Sequence, residues 1–394
     1  GTPAGATTAH QPAMSGGVAS PCSSKVGTSG SSGLRFADGT ADFHRKAGAR
    51  LGFFPHALLA TATHDHKRGE DLRARLAVLS EIPDEWAAAL RRGMAEGAAL
   101  GRGLPSPGDQ AILYQTLVGL WPPDLDPTDE QGCAALAGRL AVWQDKALRE
   151  AKLATAWDAP DEAYEAAARD FLAGLFASPA LLADIAAFAR RIAPAGAVNG
   201  LVQTLLKMTV PGVPDFYQGT DFWDLSLVDP DNRRPVDFAL RRATLASHAT
   251  TAELVASWPD GRIKQAVIAR VLTLRRRLPR LFAEGRYEPL QVEGLLASQV
   301  LAFARHFENS MAIVVVSRKV SRLLSGDGRL ALPESLWGDT IVRLDSLVGD
   351  HAFQDVLGGG SLASHNKTFL VKEILRDVPG ALLVAEAGHV LAHP

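Results

Sequence analysis

The sequence predicts an α/β protein with a helical subdomain and a small antiparallel β domain in its C-terminal part. First, the stretch Ala57–Asp71 begins with a short apolar run, continues into a polar loop and leads into a helical pattern, which is one strand-loop-helix unit. Second, a long block of consecutive helical patterns interrupts this α/β part. Third, after Tyr287 the pattern changes to short segments rich in Val, Ile, Phe and Leu between turn residues, which predicts antiparallel strands.

The composition is that of a soluble globular protein of two or three domains, with 394 residues, 47% hydrophobic and 21% charged. Lysine and arginine number 41 and aspartate and glutamate 43, which gives a net charge of -2. This balance provides no bulk attraction to nucleic acid or to anionic lipid. We therefore expect neither as a partner, and the function has to be sought in a local site.

The two cysteines, Cys22 and Cys133, form neither a disulfide framework nor a metal-binding spacing, and two free thiols are expected. The densest apolar run, Ala312–Val316, is far too short to cross a bilayer. No lysine or arginine precedes Lys25 and no apolar segment follows it, so a secretory signal is not predicted. We expect a cytoplasmic protein.

Five segments are predicted along the chain. Residues 1–33 have almost no large apolar side chains and are predicted to be a disordered leader. Residues 34–95 carry the first strand, residues 96–197 form the helical insertion, residues 198–286 return to the α/β pattern, and residues 287–394 form the β domain.

Helices are predicted where apolar residues recur at helical spacing. In Glu70–Ser80 three leucines share one face, and Asp71 and Arg75 are spaced for an i, i+4 pair. Trp143 and Trp157 are predicted to be core residues, with sugar stacking as the alternative. The other predicted helices are Pro83–Met94, Tyr114–Leu120, Thr128–Trp157, Asp161–Phe176, Pro179–Ile192, a helix through Leu201 and Met208, Phe238–Ser257 and Arg262–Arg277.

Val213–Tyr217 is predicted to be a short apolar strand that runs into Gln218. The stretch Leu227–Asp237 contains two prolines around an Asp-Asn-Arg-Arg sequence, which favours an ordered surface loop. The strands of the β domain are predicted at Val300–His306, Met311–Ser317, Thr340–Leu344, Phe369–Ile374 and Leu382–Ala385.

The candidate site is the sequence Thr63-His64-Asp65, which follows the first apolar run and precedes Lys67 and Arg68. In parallel α/β folds the carboxyl ends of the strands carry the reactive side chains, so a His-Asp pair at this point indicates a site. The same pattern also occurs where an ordinary loop begins, and this alternative stays open.

Three kinds of chemistry use a His-Asp pair. A Ser-His-Asp triad of the hydrolase type needs a Gly-x-Ser-x-Gly elbow, which the sequence lacks. A shared metal is disfavoured because His64 and His66 would point to opposite faces of an extended strand. Glycosyl chemistry fits best, because carboxylates stabilise an oxocarbenium-like transition state and a histidine can donate to a sugar hydroxyl.

Several long runs resemble the C-terminal half of maltooligosyltrehalose synthases, which are members of the α-amylase superfamily. They are LLATATHDHKRGEDLRARLAVLSEIPDEW, LYQTLVGLWP, LREAKLATAWDAPDEAYE and QTLLKMTVPGVPDFYQGTDFWDLSLVDPDNRRPVDF. The resemblance extends from about Phe43 to the end of the chain. It implies the C-terminal part of a (β/α)8 TIM barrel, with about strands 7 and 8 in residues 34–95 and 198–286, a helical insertion between them and an antiparallel β domain after them.

The activity that the resemblance implies is an intramolecular transglucosylation in trehalose biosynthesis. It converts the reducing-end α-1,4 linkage of a maltooligosaccharide, or α-1,4-glucan, into an α,α-1,1 linkage, with no cofactor and no metal. The oligomeric state is left open. A glucan hydrolase of the same superfamily is an alternative, as is a non-catalytic glucan-binding remnant.

The resemblance also assigns residues. Asp65 matches the aspartate that binds the sugar beside the anomeric carbon, and His64 matches the neighbouring histidine. Lys67 and Arg68 match substrate-binding positions, although they could instead pair with Glu70 and Asp71 on a surface turn. Further residues are assigned to the cleft, with loop bracing as the alternative for at least one arginine: Tyr217, Gln218, Asp229, Asn232, Arg233 and Arg234. His66 and Asp221 depart from the family, which usually has threonine and glutamate there.

A retaining mechanism needs two carboxylates about 5 Å apart on either side of the bond. Before Asp65 this sequence contains Asp38 and Asp42 and no glutamate, and neither aspartate follows a strand pattern. The family's nucleophile and acid/base therefore have no counterpart in the sequence. We expect the chain by itself to be inactive.

Overall fold

The computed structural model describes residues 39–101, 105–247, 249–324, 326–344 and 352–386. The predicted leader 1–33, with Cys22, lies outside the described residues. The described part begins with a helix that the sequence analysis did not predict, and the predicted order of strand, loop and helix follows. These elements are α1 (Thr40–Phe53), β1 (Leu58–Ala60), α2 (Glu70–Ala77) with a 3-10 turn at Val78–Ser80, and α3 (Pro83–Gly101).

The predicted helical block contains α4 (Pro107–Leu120), α5 (Glu130–Ala151), α6 (Glu162–Phe176) and α7 (Pro179–Thr209). α4 begins earlier than the predicted Tyr114 because the Ser106 hydroxyl accepts a hydrogen bond from the Asp109 amide at 3.2 Å and caps the helix. Residue 107 is a proline at the first helical position, where its missing N–H costs nothing.

α7 continues through Pro194, so the prediction of separate helices at Pro179–Ile192 and around Leu201 is wrong. The C-terminal half of α7 is buried against α2, and this packing outweighs the lost backbone hydrogen bond. A Cβ on Gly196 would lie 2.8 Å from the Cα of Arg75, which shows how closely the two helices approach. α7 therefore crosses the predicted boundary between residues 197 and 198 without a break.

The two tryptophans of the helical block differ. Trp143 is buried in the core as predicted, whereas Trp157 is 58% exposed, and its assignment to the core is wrong. The reason is that α5 ends at Ala151, before the predicted end of the helix, and Lys152 takes a left-handed conformation with φ 54°. Trp157 consequently lies in the loop that leads to α6.

The chain then returns to β1. The strand β2 (Val213–Asp215) pairs with β1 in parallel, with Leu58 opposite Val213. The next helices are α8 (Phe238–Leu245), α9 (Thr251–Ala256), α10 (Arg262–Arg277) and α11 (Pro279–Ala283). Phe238–Ser257 is thus two helices rather than one, because Thr250 and Glu253 form a capping box that starts α9.

The C-terminal part is antiparallel, as predicted. The elements are β3 (Arg286–Pro289), β4 (Val292–Glu293), β5 (Val300–Phe307), β6 (Ser310–Ser317), α12 (Glu334–Trp337), β7 (Ile341–Arg343), β8 (Ala352–Asp355), β9 (Ser361–Ala363), β10 (Thr368–Leu370), α13 (Val371–Ile374) and β11 (Gly380–Glu386). A six-stranded sheet has the order β3-β5-β6-β11-β8-β9, and a three-stranded sheet has the order β10-β7-β4. The predicted strand Phe369–Ile374 is a strand followed by a helical turn, since β10 ends where α13 begins.

Two large apolar cores hold these parts in the described portion of the chain. One contains α7, α10 and the strands β5, β6 and β11, and the other contains α4, α5 and α6. Among the described helices, none is by itself long and apolar enough to cross a membrane. The α6–α7 pair has the length and composition only when the two helices are joined, and it is bent by 82°.

Candidate functional site

The predicted corner Thr63-His64-Asp65 lies in the loop after β1, beyond Thr61 and Ala62, and all three of its residues are exposed. The loop is held through its backbone. The Asn232 Nδ2 group donates to the His64 carbonyl oxygen at 2.7 Å, and the Asp65 amide donates to Thr63 Oγ1 at 3.3 Å. The side chains of His64 and Asp65 are thereby presented to solvent on a fixed backbone.

His66 braces this corner. Its Nδ1 accepts a hydrogen bond from the Thr63 amide at 3.1 Å, and its Nε2 lies 3.3 Å from Ser226 Oγ. The ring of Tyr217 meets the His66 ring edge to face, with centroids 6.1 Å apart. Burial lowers the pKa of His66, against the opposing effect of Asp224, so the ring is a neutral brace at pH 7.

A cleft of 660 Å³ opens beside the corner. Arg73 crosses its base, donating to the carbonyl oxygens of Thr61 and Arg68. Arg68 donates to Thr116 Oγ1 at 2.8 Å, while its buried Nε has no hydrogen-bond partner in the described part of the chain. The lining residues are Ala60, Thr61, Ala62, Thr63, His66, Lys67, Arg68, Arg73, Leu76, Ala77 and Gln115. Three cationic side chains thus offer N–H donors to a ligand rich in oxygen.

The surface-turn alternative for Lys67 and Arg68 is wrong. Lys67 Nζ instead pairs with Glu150 Oε2 at 2.8 Å, a bond that raises the pKa of Lys67. Glu70 and Asp71 are only 2% and 5% exposed, because both carboxylates point into the molecule.

Behind the corner lies a buried group of charges, which we call the ionic cluster: Glu70, Asp71, Lys207 and Lys264. Lys264 Nζ lies 2.5 Å from Glu70 Oε1 and 2.6 Å from Asp71 Oδ2. Lys207 Nζ lies 3.7 Å from Glu70 Oε2 and donates to Thr61 Oγ1 at 2.7 Å. The Thr61 hydroxyl in turn donates to Glu70. The cluster therefore holds Thr61, the residue that directly follows β1, by hydrogen bonds.

The two carboxylates of the ionic cluster respond differently to burial. Burial alone would raise the pKa of Glu70, but Lys264, Lys207 and the Thr61 hydroxyl lower it to about 2. Asp71 shares Lys264 with Glu70, and its Oδ1 has no hydrogen-bond partner in the described residues. Burial, together with repulsion from Glu70, raises the pKa of Asp71 to about 6. Burial would lower the pKa of Lys264, but the two carboxylates raise it.

Asp224, in the loop after β2, is hydrogen-bonded to the N-terminus of α2. Its carbonyl oxygen accepts from the amides of Asp71 and Leu72, both at 3.2 Å, and its own amide donates to Asp71 Oδ2 at 2.7 Å. A Cβ on Gly69 would lie 2.6 Å from the Asp224 carbonyl oxygen, so only glycine permits this approach. Asp71 also uses these contacts in place of the predicted pair with Arg75, which donates to the carbonyl oxygens of Gly119 and Trp121.

The loop Leu227–Asp237 is braced by its own charges. Arg233 Nε lies 2.7 Å from Asp229 Oδ1, and Arg234 Nε donates to the Asp231 carbonyl oxygen at 3.1 Å. Arg139 from α5 donates to both carboxylate oxygens of Asp231 at 2.8 Å. The two arginines that were predicted to contact substrate or brace the loop are thus engaged within the loop.

The structure brings Asn232, Tyr217 and His66 together at the corner, whereas Gln218 is exposed and Asp221 pairs with Arg241 at 3.0 Å. The ionic cluster, Arg73 and Asp224 were not predicted from the sequence. A signal for the cluster exists, because a lysine interrupts the apolar run LLKMTV at Lys207. Among the described residues, no group of three or more His, Cys, Asp or Glu side chains is arranged to hold a metal ion.

Fold and site together define an α/β protein with a polar site at the end of a parallel strand pair, followed by an antiparallel β domain. No family model matches the sequence. Over 352 residues, the chain is 34% identical to a protein of Mycobacterium tuberculosis H37Rv that is provisionally named maltooligosyl trehalose synthase. The match covers 89% of this chain and 40% of the relative.

Solved structures give the same result. The maltooligosyltrehalose synthase from Arthrobacter ramosus has a TM-score of 0.70 and 33% identity, over 89% of this chain and 41% of that one. A hypothetical maltooligosyl trehalose synthase of Sulfolobus tokodaii has a TM-score of 0.66 and 28% identity, over 89% and 41%. The chain is similar to the C-terminal part of maltooligosyltrehalose synthases, and the resemblance seen in the sequence is confirmed. It spans about two fifths of their length.

Proposed function

We propose that this chain supplies one side of the active site of a maltooligosyltrehalose synthase. The reaction would isomerise the reducing-end α-1,4 linkage of a maltooligosaccharide to an α,α-1,1 linkage. The observation that carries the proposal is the exposed His64-Asp65 pair, held on a fixed backbone beside a cationic cleft, in a chain 34% identical to the C-terminal part of such a protein.

Each residue then has a chemical role. The Asp65 carboxylate binds the sugar hydroxyls beside the anomeric carbon and stabilises the positive charge that develops there. His64 donates a hydrogen bond to a sugar hydroxyl. Lys67, Arg68 and Arg73 line the cleft and offer N–H groups to further hydroxyls.

Asp65 cannot complete a retaining mechanism alone, since that mechanism needs a nucleophile and an acid/base about 5 Å apart. Asp42, one of the two carboxylates that precede Asp65 in the sequence, lies in α1 and pairs with Arg45 at 3.3 Å. We therefore propose that the 394-residue chain on its own binds maltooligosaccharide without converting it.

Calorimetric titration with maltopentaose tests the binding. Replacing Asp65 by Asn should weaken the affinity by about tenfold or more, because a hydrogen bond to a charged group contributes roughly 1.5–3 kcal/mol. The matched control is Asp170→Asn, at an exposed aspartate of α6, which should leave the affinity unchanged. Equal affinities of the wild type and Asp65→Asn would contradict the role of Asp65.

A chimera tests the reaction. Residues 39–394 would replace the matching C-terminal part of the Arthrobacter enzyme, and the products from maltopentaose would be assayed for loss of reducing ends. We expect a non-reducing product that Asp65→Asn abolishes, and none from the 394-residue chain alone. Turnover by the chain alone would contradict the proposed division of the site, and released glucose would favour a hydrolase.

A further inference from the structure

Trp157 differs from every other tryptophan of the chain in its exposure. All seven tryptophans lie within the described residues, and Trp157 is 58% exposed. Trp86 and Trp223 are half-buried. The remaining four are at most 8% exposed: Trp121, Trp143, Trp258 and Trp337. An indole left in water forgoes the free energy of burying a large apolar ring, and its exposed face is available to pack against a ligand.

The Trp157 ring is supported from one side. The guanidinium carbon of Arg149 lies 4.9 Å from the ring centroid. Arg149 cannot swing away easily, because it donates two hydrogen bonds to Glu165, at 2.8 and 2.7 Å, and Glu165 is buried. Thr155 Oγ1 donates to the same carboxylate at 2.7 Å. A locked cation therefore backs one face of the indole.

The loop around Trp157 is also closed on itself. The amide of Ala156 donates to the Ala159 carbonyl oxygen at 3.1 Å, and the amide of Ala159 donates back at 3.3 Å. The Asp161 amide donates to Thr155 Oγ1 at 2.9 Å, which ties the end of the loop to its start. Trp157 stands at the tip of this small, hydrogen-bonded turn, so little conformational entropy is lost when a ligand packs on it.

This turn lies close to the cationic cleft. Glu150 follows Arg149 in the chain, and its carboxylate bonds to Lys67, which lines the cleft. Lys146, one turn earlier in α5, donates to the Asp229 carbonyl oxygen at 3.0 Å and fixes the end of α5 against the loop beside the corner. The end of α5, which carries Arg149, is thus joined to the wall of the cleft by the ion pair between Glu150 and Lys67.

We propose that Trp157 is a stacking platform for an α-1,4-glucan, on which one glucose unit packs while another part of the same chain occupies the cleft at Lys67. The proposal rests on the proposed function, because it takes the same ligand. Pyranose rings present a flat face of C–H groups that packs on an aromatic ring, and the hydroxyls at the ring edge remain in water. The platform selects for length, since only a chain that spans both places contacts both.

Fluorescence quenching by acrylamide tests the platform directly, since Trp157 is the exposed indole. We expect maltopentaose to reduce the quenching of the wild type. In Trp157→Phe, acrylamide quenching should be weaker than in the wild type and should no longer depend on maltopentaose. The remaining fluorescence comes from the other six tryptophans, which are less exposed. Unchanged quenching of the wild type at saturating maltopentaose would overturn the proposal.

Calorimetry provides the second measurement. Trp157→Ala should weaken maltopentaose binding by roughly 3- to 10-fold, as expected for one lost aromatic contact, with a smaller effect on maltose. Trp157→Phe should keep most of the affinity, and Leu153→Ala, at an exposed residue of the same loop, is the matched control.

The outcomes separate the two proposals. If Asp65→Asn weakens maltopentaose binding and Trp157→Ala does not, the platform is wrong and the proposed function stands. An equal loss for maltose and maltopentaose also overturns the platform, because length selection would be missing. If the wild type binds neither sugar, both proposals fail.

Discussion

Two of the sheets in the described part of the chain, the six-stranded sheet and the β1–β2 pair, are built in opposite ways. β5, β6 and β11 pair over seven or eight residues, and nearly all their side chains are buried. β1 and β2 pair over three residues, and Leu58 and Val213 are 71% and 40% exposed. The larger sheet is stabilised by its own apolar core. The strand pair that carries the candidate site buries little apolar surface of its own.

A two-stranded sheet of this length is not stable in water by itself. What holds β1 in place comes from outside the strands. Lys207 and Glu70 bond to Thr61, and Lys264 joins Glu70 and Asp71 to α10. The site is therefore positioned by buried charge and the β domain by apolar packing, and substitutions can separate the two.

The largest effect is expected for Lys264→Met. This change leaves Glu70 and Asp71 buried without their shared cation, which should lower the free energy of unfolding by about 3–5 kcal/mol. The control is Arg262→Met, two residues earlier, where a partly exposed pair with Asp260 is removed and less than about 1 kcal/mol should be lost. Urea denaturation measures both, and equal midpoints would show that the ionic cluster does not hold the structure.

The second comparison is between the strands themselves. Leu382→Ala in β11 creates a cavity in the core and should cost about 2–5 kcal/mol. Leu58→Ala in β1 removes a side chain that is mostly in water, and its effect should stay within about 0.5 kcal/mol. Similar losses for the two variants would mean that β1 is covered in solution by something beyond the described residues.

Local patterns were sufficient to predict much of the fold. Arg262–Arg277 was predicted with the bounds it has, and the apolar runs of β5 and β6 identified both strands. The predictions failed where distant contacts decide the outcome. Pro194 normally ends a helix, but α7 is buried on both sides of it and continues. The stretch Phe369–Ile374 begins with the strand-favouring residues Phe, Leu and Val, yet from Val371 onward it is the helical turn α13.

The same limit applies to the site. Thr63-His64-Asp65 could be found because strand and site are contiguous in sequence. The ionic cluster could not, because Lys264 is 194 residues from Glu70 and no periodicity links them. Trp157 was assigned to the core because it continued a helical pattern, and the end of α5 at Ala151 was not predicted.

The smallest predicted effect concerns the pH dependence of the free energy of unfolding. The two carboxylates of the ionic cluster contribute to it in different pH ranges. The folded pKa of Glu70, about 2, lies below its unfolded value, so Glu70 adds stability above about pH 4 and loses it as the pH falls toward 2. The folded pKa of Asp71, about 6, lies above its unfolded value. Ionised Asp71 therefore costs stability above pH 6, and the cost disappears as the pH falls from about 6 to 4.

Unfolding free energies between pH 2 and 8 test these signs. Relative to the wild type, Glu70→Gln should flatten the profile below about pH 4, and Asp71→Asn should flatten it between about pH 4 and 6, each by on the order of 2 kcal/mol. Leu58→Ala, which touches no titrating group of the cluster, should leave the shape of the profile unchanged. If Glu70→Gln and Asp71→Asn flatten the same pH range, the two carboxylates titrate as one unit around Lys264, and the asymmetry between them is wrong.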